Sequence, residues 1–311
     1  GDDDDSFSYI SRFVRAVGRY QRSVGALDFS ASLSAGADDV QLNVDGDGIV
    51  RRNIPFGLRA DVTRRGEHGW IAAGLDLEAT RHRFSLGNDL PPGAMMDSAI
   101  RADTLWSSNA ALWVESLWRQ GPLTVKPGLR GEYYALADQF VLDPRLTVLQ
   151  DLGDGITLSQ AVGLYHQPPS VVDLDPAFGN QDLDASSAWH AAVGIDVPVG
   201  KPTNPVVTVS ATGFYRDMND LAVDVVSGAT PIAAGGSGQS GGVGGISREL
   251  SEEQFGSYSM RDNVGAGKSY GLELMAKKST GAWRGWLSYT YGRSLRRGDP
   301  ARALGWEPYV L

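Results

Sequence analysis

Leu27-Asp28-Phe29-Ser30-Ala31-Ser32-Leu33-Ser34 alternates strictly, with apolar side chains at odd positions and polar ones at even positions. Successive side chains of a strand point to opposite faces, so this octet codes a strand with one oily and one wet face. The same period-two pattern recurs along the chain. Ile54, Phe56, Leu58, Ala60 and Val62 form an apolar row around Arg59 and Asp61, and Ile71, Ala73, Leu75, Leu77 and Ala79 form another around Asp76, Glu78 and Thr80. Leu123, Val125, Leu129 and Tyr133 alternate with Thr124, Lys126, Arg130 and Glu132; Trp189 to Val197 alternates around His190 and Asp196; Tyr270, Leu272 and Leu274 flank Glu273. About twelve such runs can be traced, most of them longer than the roughly 9–11 residues a strand needs to cross a bilayer.

Connection lengths carry a second signal. Ser23–Ala26, Arg65–Gly69, Gln120–Pro122, Leu152–Gly155, Gly200–Asn204 and Ser279–Ala282 are short and rich in Gly, Pro, Asn or Ser, as tight turns require. The links at the opposite strand ends are longer: Gly87–Asp103, Ala137–Asp143, Gln167–Ser186 and Asn219–Val264, with Gly46–Gly48 a short exception. Short turns at one end and long loops at the other is the construction of an outer-membrane barrel. Residues 226–262 are expected to be a long flexible extracellular loop. The predicted fold is all-β: an antiparallel transmembrane β-barrel over residues 1–311.

The composition agrees. The 311 residues include 39 Gly, 11 Tyr and 8 Trp, and only 21% are charged. A mean hydropathy of −0.21 is compatible with a membrane barrel, because only alternate residues meet lipid. Trp106, Trp113, Trp118, Tyr133, Tyr134, Trp189, Tyr215, Trp283, Trp286, Tyr289 and Tyr291 lie towards strand ends and read as girdles at the headgroup level. The absence of cysteine removes disulfides and thiolate metal sites, and a net charge of −9 argues against nucleic acid as a partner. Asp61, Asp76, Glu78, Glu115, Lys126, Arg130, Glu132, Asp196 and Glu273 all fall in the polar phase, as a wet interior demands.

Enzyme-like motifs fail on context. Gly265-Ala266-Gly267-Lys268-Ser269 ends like a phosphate loop, but Asp262 occupies the position of its first glycine and a strand pattern follows. Gly238-Gln239-Ser240-Gly241-Gly242 matches a hydrolase elbow by letter, yet it sits in a Gly/Ser run without the flanking strand and helix. Asp45-Gly46-Asp47-Gly48 starts like a calcium loop, but Phe56 stands where its bidentate Glu belongs. The four histidines, His68, His82, His166 and His190, form no metal-spaced pair, and no Ser–His pair is placed by the sequence. No catalytic residue, metal or cofactor is expected. An outer-membrane hydrolase is the remotest of the readings.

Residues 143–225 and 251–297 resemble the barrel of TonB-dependent outer-membrane receptors. The resemblance is carried by DPRLTVLQDLGDGITLSQAVGLYHQPP, FGNQDL, the Ala188-Trp189-His190 strand, VTVSATGFYRDMNDLAV, NVGAGKSYGLEL and WLSYTYGRS, with Gly292 where the family often has Ser. It implies a bacterial outer-membrane location and TonB-energised uptake of a scarce nutrient: a metal chelate, a cobalamin-like cofactor or an oligosaccharide. Implied partners are outer-membrane lipid and lipopolysaccharide, a small-molecule or chelate ligand, and the TonB complex through a plug domain. Family members carry that plug N-terminally and have about twenty-two strands; this chain resembles a central slice, and its Gly1-Asp2-Asp3-Asp4-Asp5 start, with no signal peptide, reads as a trimmed chain or fragment. His166, Gln167, Phe178, Asn180 and Gln181 around one outer loop, with Tyr215 and Arg216 near the next, are the candidate ligand contacts. For His166 the alternative is that Pro168 and Pro169 fix a loop exit and the imidazole bonds nearby. A passive porin-like channel and a surface barrel for adhesion or docking remain the other functional readings.

Overall fold

A computed structural model describes residues 7–44, 47–86, 104–171, 173–174, 180–201, 204–226, 259–298 and 306–308. Every long regular element among them is a strand: β1 (Phe7–Val24), β2 (Leu27–Val44), β3 (Asp47–Gly66), β4 (Gly69–Leu86), β5 (Thr104–Gln120), β6 (Leu123–Tyr134), β7 (Gln139–Asp151), β8 (Thr157–Gln167), β9 (Ser186–Lys201), β10 (Asn204–Val226), β11 (Ser259–Lys278) and β12 (Gly285–Arg297), with a two-residue β13 (Glu307–Pro308). The fold is the all-β antiparallel one that the alternation predicts.

The chain divides into two compact units. The first comprises Gly1–Arg119, Lys126–Pro144 and Asp175–Ala177; in it β1 to β5 pair in chain order, each antiparallel to the next. The second comprises Gln120–Val125, Arg145–Leu174 and Phe178–Leu311; in it β7 to β13 pair in the same up-and-down manner. Tight turns join the pairs where the sequence places them. Gly25 starts the β1–β2 turn at φ 59°, in the left-handed region that glycine enters without penalty.

Register fixes the faces, because a one-residue slip would turn every oily side chain over. Leu33 pairs with Leu58, Leu58 with Leu77, and Leu77 with Ala110, a continuous apolar row across four strands. One step along, Arg59 pairs with Asp76, and Asp76 with Ala111, on the opposite, polar face. Among the described residues the apolar rows pack against no second layer. Leu33 is 64% exposed, Leu112 70% and Leu287 76%. In a soluble sandwich these rows would meet each other; here they face outward, as side chains meant for lipid do.

Two expectations are corrected. The Ala137–Asp143 link is shorter than the sequence suggests, because β7 already begins at Gln139 and only Ala135–Asp138 turns. Its cause is local: Asp138 adopts φ 47°, and its carboxylate accepts a 2.6 Å hydrogen bond from the Tyr133 hydroxyl, closing a tight reversal. Likewise β10 runs on to Val226 and β11 starts at Ser259, so strand invades both ends of the Asn219–Val264 link. Within the expected 226–262 loop, residues 227–258 lie outside the described residues, as do residues 87–103, Gly46 and the Gly235–Gly245 run.

The aromatics also sort differently from a simple girdle. Trp106 and Trp118 are in the apolar phase and are 53% and 59% exposed. Trp113 is in the polar phase, facing Gly74 across the ladder, and Tyr134 is buried at 2% exposure. Both fill space on the polar face, where bulk can replace missing neighbours.

Candidate functional site

The polar face of the first unit is organised around Asp76 on β4. Arg59 on β3 donates to both of its oxygens, Nε to Oδ1 at 2.6 Å and Nη2 to Oδ2 at 2.9 Å. Arg130 on β6 also bonds Asp76, and its Nε donates to Glu132 at 2.8 Å. Lys126 reaches Glu115 at 3.2 Å and lies over the Trp70 ring. Alternating charges on successive strands satisfy one another, which gives a rigid ionic wall and no set of groups converging on one point.

Nearer the opposite end of β4, His82 is buried between Asn53 and Ser107, 2.9 Å from Asn53 Oδ1 through Nδ1 and 2.8 Å from Ser107 Oγ through Nε2. The sequence places no Ser–His pair; the register creates one, since Asn53 and His82 are direct cross-strand partners and Ser107 lies one diagonal step away. A nucleophilic serine also needs donors aimed at an oxyanion. The backbone around Ser107 is instead committed to the β4–β5 ladder, so the triad reads as a lateral hydrogen-bond tie.

In the second unit one cross-strand row stands out. Arg145, Gly163, His190, Arg216 and Ser269 are successive partners on β7, β8, β9, β10 and β11. Gly163 leaves a gap in that row, and the Tyr165 ring fills it; a Cβ at Gly163 would come within 3.0 Å of the ring. The ring then lies 4.6 Å from the His190 ring and 4.7 Å from the Arg145 guanidinium, centroid distances typical of aromatic and cation–π contact. Arg216 extends the row over Phe214. Two guanidiniums and an imidazole thus line up on an aromatic bed, an arrangement suited to a flat or anionic ligand.

The candidates from sequence separate. Arg216 joins this row, whereas its neighbour Tyr215 pairs with Ala191 and Tyr270 in the apolar phase and is 43% exposed. His166 is the penultimate residue of β8, pairs with Ser187 and shares the phase of Leu164 and Trp189; Gln167, the exposed last residue, accepts a hydrogen bond at its carbonyl from Ser186 Oγ. Phe178 lies outside the described residues. Asn180 has both ends of its amide engaged: Nδ2 donates to the Arg261 carbonyl at 2.9 Å and Oδ1 accepts from the Asp182 N–H at 2.9 Å. Gln181 beside it is exposed. Arg145, Tyr165 and Phe214 were not among the candidates; a cross-strand row is invisible until register is known.

Asn263 at the start of β11 ties the segment around Asn180 in place. It accepts from the Asp184 N–H at 2.8 Å and donates to the carbonyls of Asp184 at 3.1 Å and Asp220 at 2.6 Å, while Arg261 pairs with Asp173. Asn263→Ala removes all three bonds. Amide hydrogen exchange over residues 180–186 is expected to quicken about tenfold, the equivalent of ~1–2 kcal/mol of lost local stability. Unchanged exchange would show that Asn263 is not the tie.

The sequence profile described as TonB dependent receptor-like, beta-barrel matches residues 1–307. The chain belongs to this family. Its place is therefore the bacterial outer membrane, with the apolar rows towards lipid. Solved structures share the fold at low identity. The alcaligin outer-membrane receptor FauA from Bordetella pertussis matches with a TM-score of 0.63 at 13% identity, over 93% of this chain and 47% of that one. The copper transporter OprC gives 0.64 at 14%, over 91% and 46%. The siderophore receptor PirA from Pseudomonas aeruginosa gives 0.57 at 14%, over 92% and 59%. The chain spans about half the length of the first two, 47% and 46%. No curated protein matches it. These relatives are receptors and transporters rather than enzymes.

Proposed function

We propose that the chain is barrel wall of a receptor for TonB-energised uptake of a scarce nutrient, and that the nutrient is an anionic metal chelate. Family membership over residues 1–307 supports a receptor, and the row Arg145–His190–Arg216 with Tyr165 supports the ligand class. A neutral oligosaccharide has little use for three aligned basic groups, whereas carboxylate or catecholate oxygens around a metal match guanidinium forks. The Asn180–Gln181 segment, held by Asn263 and Arg261, offers the exposed Gln181 side chain as a further contact, and His166 and Gln167, at the end of β8 that leads into this loop, complete the proposed set. TonB engagement and energy coupling belong to the whole receptor through its plug.

The test is uptake by cells expressing the full-length protein, using ferric citrate, ferric catecholate and hydroxamate chelates, cobalamin, and a maltooligosaccharide. Saturable uptake of an anionic chelate that stops without TonB is the expected result, with Arg216→Ala weakening binding about tenfold through loss of one charge-assisted contact. Non-saturating, TonB-independent flux would establish a passive channel, and tight surface binding without uptake would establish a docking barrel.

A further inference from the structure

Within the basic row of the second unit, one side chain can change its charge near neutral pH. Arg145 and Arg216 carry guanidiniums, which stay protonated at any pH a cell meets, and the Tyr165 phenol ionises only near pH ~10. The His190 imidazole belongs to the class of side chain that titrates between about pH 5 and 8. Over that range the row therefore has two charge states, set by one proton.

What surrounds His190 fixes what that proton can act on. Its strand, β9, lies between β8 and β10. From β8 the Tyr165 ring stands 4.6 Å away and carries the Arg145 guanidinium at 4.7 Å. From β10 comes Arg216, the direct cross-strand partner, flanked in the same phase by Phe214 and Met218. Along the chain the nearest acids, Asp184 and Asp196, are six positions away on either side; Asp196 accepts a hydrogen bond from Ser210 at 2.5 Å. Further off are Glu273 on β11, paired with Thr212, and Asp143 on β7, two positions before Arg145. His190 is thus half-buried between two exposed guanidiniums, and neither β8 nor β10 places a carboxylate in its row or in the rows on either side.

Protonation gives His190 a positive charge and a second ring N–H donor. Both act on the same thing, an anion lying along the row between Arg145 and Arg216. Proton and anion therefore strengthen one another: each raises the affinity for the other, and by the same factor. Two guanidiniums without the histidine would hold a dianion equally well in mild acid and in mild base.

We propose that the Arg145–His190–Arg216 row is a proton-coupled anion seat, in which His190 takes up a proton from solvent as the anion arrives. This rests on the reading of the row as the contact for an anionic ligand, and adds to it a dependence on pH. The seat holds its anion tightly in mild acid and more weakly as the pH rises and His190 returns to its neutral form. Tyr165 keeps the imidazole and the Arg145 guanidinium on one ring, so that both address the same anion.

The test uses the full-length protein in phosphatidylcholine nanodiscs with inorganic sulfate as the probe, because sulfate stays a dianion across this range. At constant ionic strength, sulfate is expected to bind about tenfold more tightly at about pH 5.5 than at about pH 8, the worth of one charge-assisted contact. Calorimetry in two buffers of different ionisation enthalpy reads proton uptake on the unaltered protein, and net uptake on binding is expected. His190→Gln is expected to bind weakly at both pH values and His190→Lys, whose charge is fixed, tightly at both. A histidine that only supports the wall would not give that pattern. Arg216→Gln is expected to weaken binding at either pH. Equal affinity at the two pH values, or binding without proton uptake, overturns the coupling; if Arg216→Gln still weakens binding, the anionic-ligand reading stands. No sulfate binding, or binding indifferent to both Arg216→Gln and His190→Gln, overturns the two together.

Discussion

Replacing Asp76 with alanine is expected to cost the barrel about 3 kcal/mol. Asp76 is 6% exposed and, among the described residues, is the carboxylate that bonds both Arg59 and Arg130. Truncating it leaves two guanidiniums from β3 and β6 around an empty position, the situation in which a broken ion pair costs most. Arg59, at 62% side-chain exposure, can turn to water, so its share is discounted; Arg130, at 21%, cannot turn as easily. Glu132 still pairs with Arg130, which keeps the loss nearer the low end of the range for buried pairs. Urea titration of the protein folded into vesicles measures this, as a lower midpoint at unchanged slope. Asp76→Asn is expected to lose less, because the amide oxygen still accepts. A midpoint unmoved in Asp76→Ala would mean the cluster is a crowd of independent, solvated charges.

The second large effect comes from one residue further along. Leu77 belongs to the row Leu33–Leu58–Leu77–Ala110, midway along β4 between Arg83 and Ile71, the partners of Arg52 and Arg64 in the same phase. Leu77→Arg is expected to cost about 2–4 kcal/mol, the penalty for an arginine at the midplane of a barrel's lipid face. Glu78→Arg, one residue away on the polar face, is expected to stay within about 1 kcal/mol of wild type. The contrast isolates depth and face from strand propensity, which is similar for both substitutions.

The sequence made the strands legible because period two is a local property: Ile71 to Thr80 shows its faces without any knowledge of neighbours. The tight turns were equally plain from Gly, Pro and Asn. The Ala137–Asp143 link was misjudged because its reversal depends on a left-handed Asp138 and a side-chain bond from Tyr133, neither of which composition reveals. Trp113 and Tyr134 were assigned to a girdle for a related reason, since proximity to a strand end says nothing of phase. The candidate site was legible only one residue at a time. Arg216 and His190 could each be read as polar, but their alignment with Arg145 needs three registers at once. Asn180 looked like a ligand contact because an outer loop concentrates function; its amide is taken up by Arg261 and Asp182, contacts whose partners include one 81 positions away.

The most direct measurement is a nitroxide scan along β4. The chain has no cysteine, so single cysteines can be placed at each position from Ile71 to Arg81 and spin-labelled without background. In lipid vesicles, labels at Ile71, Ala73, Leu75, Leu77 and Ala79 are expected to relax with oxygen, which partitions into hydrocarbon. Labels at Ala72, Gly74, Asp76, Glu78 and Thr80 are expected to respond more to a water-soluble nickel complex. A strict two-residue alternation between the reagents would place hydrocarbon on one side of this strand and water on the other. Odd positions shielded from both reagents, or a repeat near 3.6 residues, would contradict it.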